Sequence, residues 1–570
     1  MPFKIKVNDR NYESFELSMH LYFSSIGIPV QKTIVNPEKK KLFHQDIFEI
    51  NENGNVKILH STIRSMKNIP GVLVLDTKKK YGKHKNKFLY KLIPDNKRLP
   101  EFLVPYKLRI TFEKKQYNKY VVFRFNHWED KHPRAQIDQI LGNVNILDSF
   151  YEYQLYCKSL YASIQVFTKD TMRKLKNRSE KEFIDDIIKK YNPEDRRSWE
   201  VFTIDPTNSK DFDDAFSISE DKDNIFISIY ISNVSFWMDA LELWDSFSER
   251  ISTIYLPNRK RPMLPTILSD TICSLQEGHD RFAFTLDLLF DKNTYLLKNY
   301  TLKNTCINVV KNYRYETPEL LVNKSYKLLF TFVRNINSIK MYVDNINTSH
   351  DVIAYLMIYM NYICSKKMAD YKIGIFRSAE LKEDFKCPGH ISPNIGKFLK
   401  NWNSYGGKYT KYKNQKSHEI LKLESYIHIT SPIRRLVDLL NIIVLQNSLG
   451  LMKYSEKSKN FYDMWVSDEK IEYINKTMRS IRKVQNKCEL LKICVKENAD
   501  MKKIYSGFIF DKLEINDGLY QYMVYLPSIK MVNRFASRHD KENLTNQKFK
   551  LFIFTDETSF KKKIRVEMIN

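Results

Sequence analysis

The sequence offers little for covalent cross-linking and no run long enough to cross a membrane. Seven cysteines occur in 570 residues: Cys157, Cys273, Cys306, Cys364, Cys387, Cys488 and Cys494. They are scattered, odd in number and form no CxxC pair. That argues against a disulfide framework and for buried thiols in a reducing compartment. The segment CPGH offers only Cys387 and His390 where a zinc site needs four ligands, so it reads as a turn. The most apolar stretch, DVIAYLMIYMNYIC (351–364), is too short to span a bilayer. The first residues, MPFKIKVNDRNYESF, hold no apolar signal core. No repeat of fixed period and no low-complexity linker is visible. An intracellular, cytoplasmic chain without membrane attachment is expected.

Negative charge is also in short supply, with 67 Asp+Glu against 93 Lys+Arg, a formal net charge of +26 and a pI near 9.4. Solubility does not demand that excess, whereas a polyanionic partner accounts for it. With no membrane-spanning run, nucleic acid is the expected partner. The balance of 43% hydrophobic and 28% charged residues is that of a globular chain. Its length predicts about three or four domains.

The first 190 residues read as β-rich and basic. GVLVLDTKKKYGKHKNKFLYKLI (71–93) places Lys78, Lys79, Lys80, Lys83, Lys85 and Lys87 between two strand-like runs. In NKYVVFRFNHW, Val121, Phe123 and Phe125 alternate with Tyr120, Val122 and Arg124, which predicts a strand with one packed and one polar face. Short strands with interleaved aromatics and cations suit small OB-type barrels, although most such aromatics are ordinary core. A charged helical stretch (168–192) leads into a region where strands such as NIFISIYISNVSFW and RFAFTLDLLF alternate with helices. Its last long helix carries Ile471, Ile474, Met478, Ile481, Val484, Cys488, Leu491 and Val495 at spacings of three and four, a core-packing stripe. In the tail, YSGFIFDKLEI and LYQYMVYLP flank NDG, a hairpin signal. The expected fold class is α+β and multidomain. Residues 1–115 hold an amino-terminal region and a first OB barrel, 116–190 a second, 191–500 a central α/β domain, and 501–570 a third OB-type barrel.

Against this basic background, TIDPTNSKDFDDAF (203–216) sets Asp205, Asp211, Asp213 and Asp214 inside ten positions. Carboxylates this close raise one another's pKa unless a positive charge sits among them. A solvated acidic turn is the bland alternative. A calcium loop is excluded: counted from Asp211, the glycine position is Phe216 and the closing glutamate position is Lys222. The cluster lies between strand-like WEVFTI and AFSISE, at a strand end and tight turn. Hard oxygen ligands in that setting favour Mg²⁺, or Mn²⁺, and suit phosphodiester hydrolysis.

The motif FTIDPTNSKDFDDA resembles the signature of the ribonuclease II/ribonuclease R superfamily, the RNB-type exoribonucleases. STIYLPNRKRPMLPTILSDTICSLQEGHDRFAFTL (252–286) and HEILKLESYIHITSPIRRLVDLL (418–440) are similar to two further family stretches, in the right order. FNHWEDKHPRAQIDQILGNV is similar to the family's second cold-shock barrel, the region near 71–106 to its first, and the tail to its carboxy-terminal RNA-binding barrel. The resemblance implies a hydrolytic 3′→5′ exoribonuclease that takes single-stranded RNA to nucleoside 5′-monophosphates. It implies Mg²⁺ on Asp205, Asp211 and Asp214, with Asp213 the carboxylate most directly needed for cleavage. Tyr255 and Tyr315 match base-stacking tyrosines, and Arg434 the arginine that grips a phosphate, with Arg435 the alternative. Glu489 matches a glutamate near the active site, or is a solvated helix charge. A monomer is expected, with membership of an RNA-decay complex left open and no endonuclease domain in the residues ahead of the first barrel.

Departures from the family pattern fall at Leu436, at Ile442–Ile443, at Asn233–Val234, and at Ala354 and Tyr355. They bear on supporting shells and channel walls, hence on rate and substrate handling. Two rivals remain: a catalytically weakened RNB-fold scaffold that binds RNA, and a general single-strand DNA binder. Retention of all four aspartates tells against the first. RNA is told from DNA by contacts to the 2′-hydroxyl, which no motif here reveals.

Overall fold

Alternation along the strands of the central region decides the architecture. In Asn224–Ser232, Ile225, Ile227, Ile229 and Ile231 face one hydrophobic core, while Tyr230 joins a second on the opposite face. Phe284, Leu286, Leu288 and Phe290 repeat the pattern in Asp280–Asp291. Strands that are apolar on one face and mixed on the other can curl into a barrel and carry helices outside.

A computed structural model describes residues 2–19, 35–52, 54–108, 116–176, 178–382, 391–497, 503–516 and 518–569. The expected turn at Cys387–His390 lies outside them, as does Asp517 of the NDG signal. The chain divides into two compact units. The central unit comprises Ala162–Tyr255 and Arg259–Arg482; the terminal unit comprises Met1–Tyr161, Leu256–Asn258 and Lys483–Asn570.

In the central unit, strands Glu194–Asp205, Asp214–Glu220, Asn224–Ser232, Asp280–Asp291 and Leu297–Arg314 form a closed barrel in that order. The first and last pair in parallel, with Asp205 opposite Arg314. Inside, Arg196 makes a two-pronged bond to Asp287 at 2.7 and 2.6 Å, and Ser217 bonds the Tyr230 hydroxyl at 2.8 Å. Outside, the barrel packs on helices Lys324–Ile339 and Ser349–Asp370 through Leu329, Phe332, Tyr355 and Leu356. A second core gathers Trp237, Trp244, Phe461 and Trp465. The apolar run read at 351–364 is thus a buried core helix, and no described helix is long and apolar enough to cross a membrane.

In the terminal unit, Phe15–Met19, Phe3–Val7, Ile47–Ile50 and Val56–His60 form a four-stranded sheet. Next comes a six-stranded sheet in the order Ile69–Leu73, Lys119–His127, Arg134–Asn143, Phe102–Tyr106, Lys87–Pro94 and Lys83–His84, with an added pairing of Ile69–Leu73 to Lys87–Pro94 that closes the first five into a ring. Because Ile69–Leu73 pairs with Lys119–His127 (Ile69 opposite Phe123), the boundary expected at 115/116 runs through one sheet. The first half of Lys119–His127 is buried on both faces, not one: Tyr120 stacks on Tyr153 of helix Leu147–Cys157 at 4.2 Å, so the helix covers the face expected to be polar. The tail forms a five-stranded sheet, with Asn516 opposite Leu519 at the expected hairpin and Gly518 at φ +76°. Of the stripe on the last long helix, Ile471, Ile474, Ile481, Val484, Cys488 and Leu491 are buried and Met478 is half-buried, but Val495 is 45% exposed and Cys494 takes its place in the core.

Candidate active site

Asp205 ends one barrel strand and Asp214 begins the next, so the acidic loop hangs from the barrel rim. The loop is tied down along its length. Ser232 N donates to the Asp213 carbonyl at 2.8 Å, Leu275 N to the Phe212 carbonyl at 3.0 Å, and Ser274 Oγ to the Lys210 carbonyl at 2.8 Å. Tyr315 continues the parallel pairing through its N–H to the Asp205 carbonyl at 3.1 Å, which brings its ring to the same rim.

The second wall is the SPIRR loop. Ile433 N–H donates to Asp213 Oδ1 at 2.9 Å and Arg434 Nε to Asp213 Oδ2 at 2.9 Å. Arg434 Nη2 also reaches Ser431 Oγ at 2.9 Å. The Arg434 carbonyl accepts from Thr253 N and Ser252 Oγ, which fixes this loop to the segment that leads into Tyr255. Asp205, Asp211, Asp213, Asp214, Tyr255, Tyr315 and Arg434 thereby line one cavity of about 690 Å³.

Burial pushes the carboxyls of Asp205, Asp213 and Asp214 above the usual range; neighbouring carboxylates add to the shift and Arg434 opposes it. Burial also pulls on the Arg434 guanidinium, but Asp213 outweighs it and holds the group charged. The Tyr255 hydroxyl is raised, first by burial and then by Asp211.

Two residues without an assigned role in the sequence complete the cavity. Lys260 Nζ bridges Asp211 Oδ1 at 3.0 Å and Asp270 Oδ1 at 2.9 Å. The Tyr255 hydroxyl donates to the other oxygen of Asp211 at 3.1 Å. In this arrangement no three acidic, His or Cys side chains among the described residues converge as metal ligands. Asp211 is turned to Lys260 and Tyr255, and Asp213 to Arg434.

The donor set nonetheless fits a divalent cation. Asp205 Oδ2 is buried without a hydrogen-bond partner in the described structure. Five carboxylates line the cavity against Lys210, Lys260 and Arg434. With more carboxylates than cations in the lining, the hard oxygens left over are of the kind that Mg²⁺ or Mn²⁺ binds.

Arg435, the alternative phosphate contact, turns away from the cavity to Asp438 at 2.8 Å, and Ser431 N–H donates to the same oxygen. Glu489 belongs to the terminal unit, where it is exposed and lies 3.7 Å from Lys492. In that unit the lysine loop is exposed, with Lys80 4.0 Å and Lys83 5.0 Å from the centre of the Phe88 ring. The same loop gives Lys85 and Lys87 to a cavity of about 980 Å³ shared with Tyr106, Lys107 and Lys119.

Comparison with known proteins bears on this geometry. Residues 194–329 match the RNB domain family. Ribonuclease R of Chlamydia pneumoniae is 26% identical over 327 residues, 46% of this chain and 48% of the relative. Ribonuclease R of Mycoplasmopsis pulmonis is 31% identical over 163 residues, 28% of this chain and 20% of the relative. The chain spans about half or less of the length of these relatives. Its fold is similar to that of Mycoplasma genitalium RNase R in complex with ribose-methylated single-stranded RNA, with a TM-score of 0.69, 16% identity and complete coverage of both chains. It is also similar to yeast Ssd1, a pseudonuclease, with a TM-score of 0.59, 14% identity, and coverage of 96% of this chain and 80% of that one.

Proposed function

We propose that this chain, a member of the ribonuclease II/R (RNB-type) superfamily, is a 3′→5′ exoribonuclease that hydrolyses single-stranded RNA to nucleoside 5′-monophosphates in the presence of Mg²⁺. The observation that carries the reading is Asp213, buried and held by Arg434 Nε and Ile433 N–H in a cavity whose walls include two tyrosines and three further aspartates of one loop. Such a fixed carboxylate–guanidinium pair beside stacking rings suits a terminal nucleotide with its phosphate at the acidic floor.

In this reading Tyr255, 42% exposed in the cavity, and Tyr315 stack on terminal bases. The planar fork of Arg434 uses Nε on Asp213 and Nη2 on Ser431, and its remaining N–H donors are available to a phosphate oxygen. Asp205, Asp211, Asp213 and Asp214 would hold the metal, whose chemistry when bound is to acidify a water and to stabilise charge on the attacking and leaving oxygens. Asp213 orients Arg434 toward the phosphate. Attack of water on phosphorus with departure of the penultimate 3′-oxygen leaves a 5′-monophosphate. The exposed lysines of the 71–93 loop and the basic cavity of the terminal unit supply sequence-independent backbone contacts. A monomer acting inside the cell completes the proposal.

One observation favours a second reading, a catalytically weakened RNA-binding scaffold: Lys260 already neutralises Asp211. Incubation with 5′-labelled single-stranded RNA and Mg²⁺, with and without EDTA, separates the two. A ladder that shortens from the 3′ end and vanishes with EDTA supports the enzyme. Tight binding of RNA that stays intact supports the scaffold.

A further inference from the structure

We propose that Lys260, anchored by Asp270, is a positioning residue that locks Asp211 and Tyr255 together and so sets where the 3′-terminal nucleotide stops; this rests on the exoribonuclease reading.

Ile254–Tyr255 and Lys260–Arg261 are the two short strands of a hairpin in which Tyr255 lies directly opposite Lys260. Directly opposed side chains share one face of a strand pair. Both reach the same carboxylate, one oxygen each: Tyr255 takes Asp211 Oδ2 and Lys260 takes Asp211 Oδ1. With both oxygens engaged, the carboxylate cannot rotate without losing a charge-assisted bond.

Lys260 is itself fixed at its other side. Asp270 lies in a π-helical turn, Leu268–Ile272, and its carbonyl accepts from Gln276 Nε2 at 2.6 Å. Its Oδ1 takes Ser269 Oγ as well as Lys260. The lysine and its two partners are shielded, with side chains 23%, 9% and 18% exposed for Lys260, Asp211 and Asp270. Solvent screening is therefore weaker than for a surface pair. A flexible lysine with one partner would be a mobile charge. With two partners at 3.0 and 2.9 Å it is a strut.

Removal of the strut has two effects of the same sign on a bound nucleotide. Asp211 gains freedom, and the Tyr255 hydroxyl loses the rigid acceptor that orients its ring. The cavity also gains one uncompensated negative charge where a phosphate must lie. Both weaken short RNA most, because a short oligonucleotide is held by this cavity alone, whereas long RNA also engages the basic surface of the terminal unit.

The test uses the full chain with Lys260→Met, Lys260→Arg and Asp270→Asn. Affinity for a tetranucleotide RNA and for a long single-stranded RNA is measured in EDTA, and product lengths are read with Mg²⁺. Lys260→Met should weaken the tetranucleotide about tenfold, the scale of one charge-assisted hydrogen bond, with a smaller change for long RNA; Asp270→Asn, which frees Lys260 but also removes a negative charge, should move affinity less. Their final products should be longer. Lys260→Arg should recover most of both losses, because it keeps the charge. Tetranucleotide affinity and product length equal to the parent's in a folded Lys260→Met chain overturn the proposal, as does a defect of the same size on long and short RNA. Should the parent itself leave RNA intact with Mg²⁺, the enzyme reading fails, while the affinity comparison in EDTA still decides the role of Lys260.

Discussion

Asp213→Asn separates chemistry from binding. The substitution keeps shape and volume, so the buried position is not emptied. One of its two contacts survives: an amide oxygen accepts the Ile433 N–H as the carboxylate did at 2.9 Å. The other inverts, because an amide NH₂ faces the donor Arg434 Nε, where a carboxylate oxygen sat at 2.9 Å. Arg434 is then released from the orientation that presents its fork to phosphate, and the cluster loses one of its charges. Loss of a preorganised electrostatic partner of this kind costs about a hundred- to a thousand-fold in rate.

Stability should move little. The Arg434 side chain is 43% exposed, so water replaces its lost partner and the cost falls toward the ~1 kcal/mol of an exposed pair rather than that of a buried one. Relief of repulsion among Asp205, Asp211 and Asp214 offsets part of it. A melting shift of no more than about 2–4 °C follows. RNA affinity in EDTA should equal or exceed the parent's, since less negative charge faces the phosphate. The assay is single-turnover cleavage of 5′-labelled RNA with Mg²⁺, alongside anisotropy binding and a melt. A cleavage rate near the parent's refutes the assignment of this loop as the active site.

Tyr255→Ala should leave hydrolysis running and lengthen the final products, because a stacked base is worth roughly 1–3 kcal/mol; identical end products on a sequencing gel would reduce Tyr255 to a structural residue. Neutralising Lys78, Lys79, Lys80 and Lys83 together should lower the slope of log affinity against log salt by up to about 3, at ~0.7 per phosphate contact on a single strand. An unchanged slope in a salt titration places them off the RNA path. The His428 imidazole is held well below its ordinary range, first by burial and then by Arg435 and Arg377, and its Nδ1 is paired with the Tyr409 hydroxyl at 2.7 Å. His418 is likewise pushed down, to about 4, by burial and Arg377. Groups with depressed histidine pKa values contribute stability that is complete above the unfolded value of about 6.5 and is lost as pH falls below it. Each imidazole should therefore take up to about 1.4 kcal/mol per pH unit from the stability to denaturant between pH 6.5 and 4, while the raised carboxyls of Asp205, Asp213 and Asp214 act in the opposite sense; the difference in slope between the parent and His428→Gln isolates the histidine, and equal slopes refute it.

What the sequence revealed of this site follows from the range over which each signal acts. The acidic loop was legible because its function is written in consecutive residues: a strand ending at Asp205 and another beginning at Asp214 leave the carboxylates on one rim. The strand in NIFISIYISNVSFW was legible for the same reason, but not that it closes with four others into a barrel, because those pairings join distant segments. Tyr120 misled because alternation reports what covers a face only when the covering element is known, and helix Leu147–Cys157 lies further along the chain. The strut on Asp211 had no local trace: Lys260 is 49 positions from Asp211, and its anchor sits in a π-turn that no periodicity marks. Arg434 and Arg435 show the finest grain of the problem. Both backbone N–H groups bond the Ser431 carbonyl in one tight turn, so the neighbouring side chains diverge. The second arginine caps helix Leu436–Ser448 and pairs with Asp438 in its first turn, a spacing of three that the sequence displays openly. Asp438 lies three positions from Arg435 and four from Arg434, so spacing alone does not choose between them. The turn at Ser431 does, and it leaves Arg434 to reach across 221 positions to Asp213.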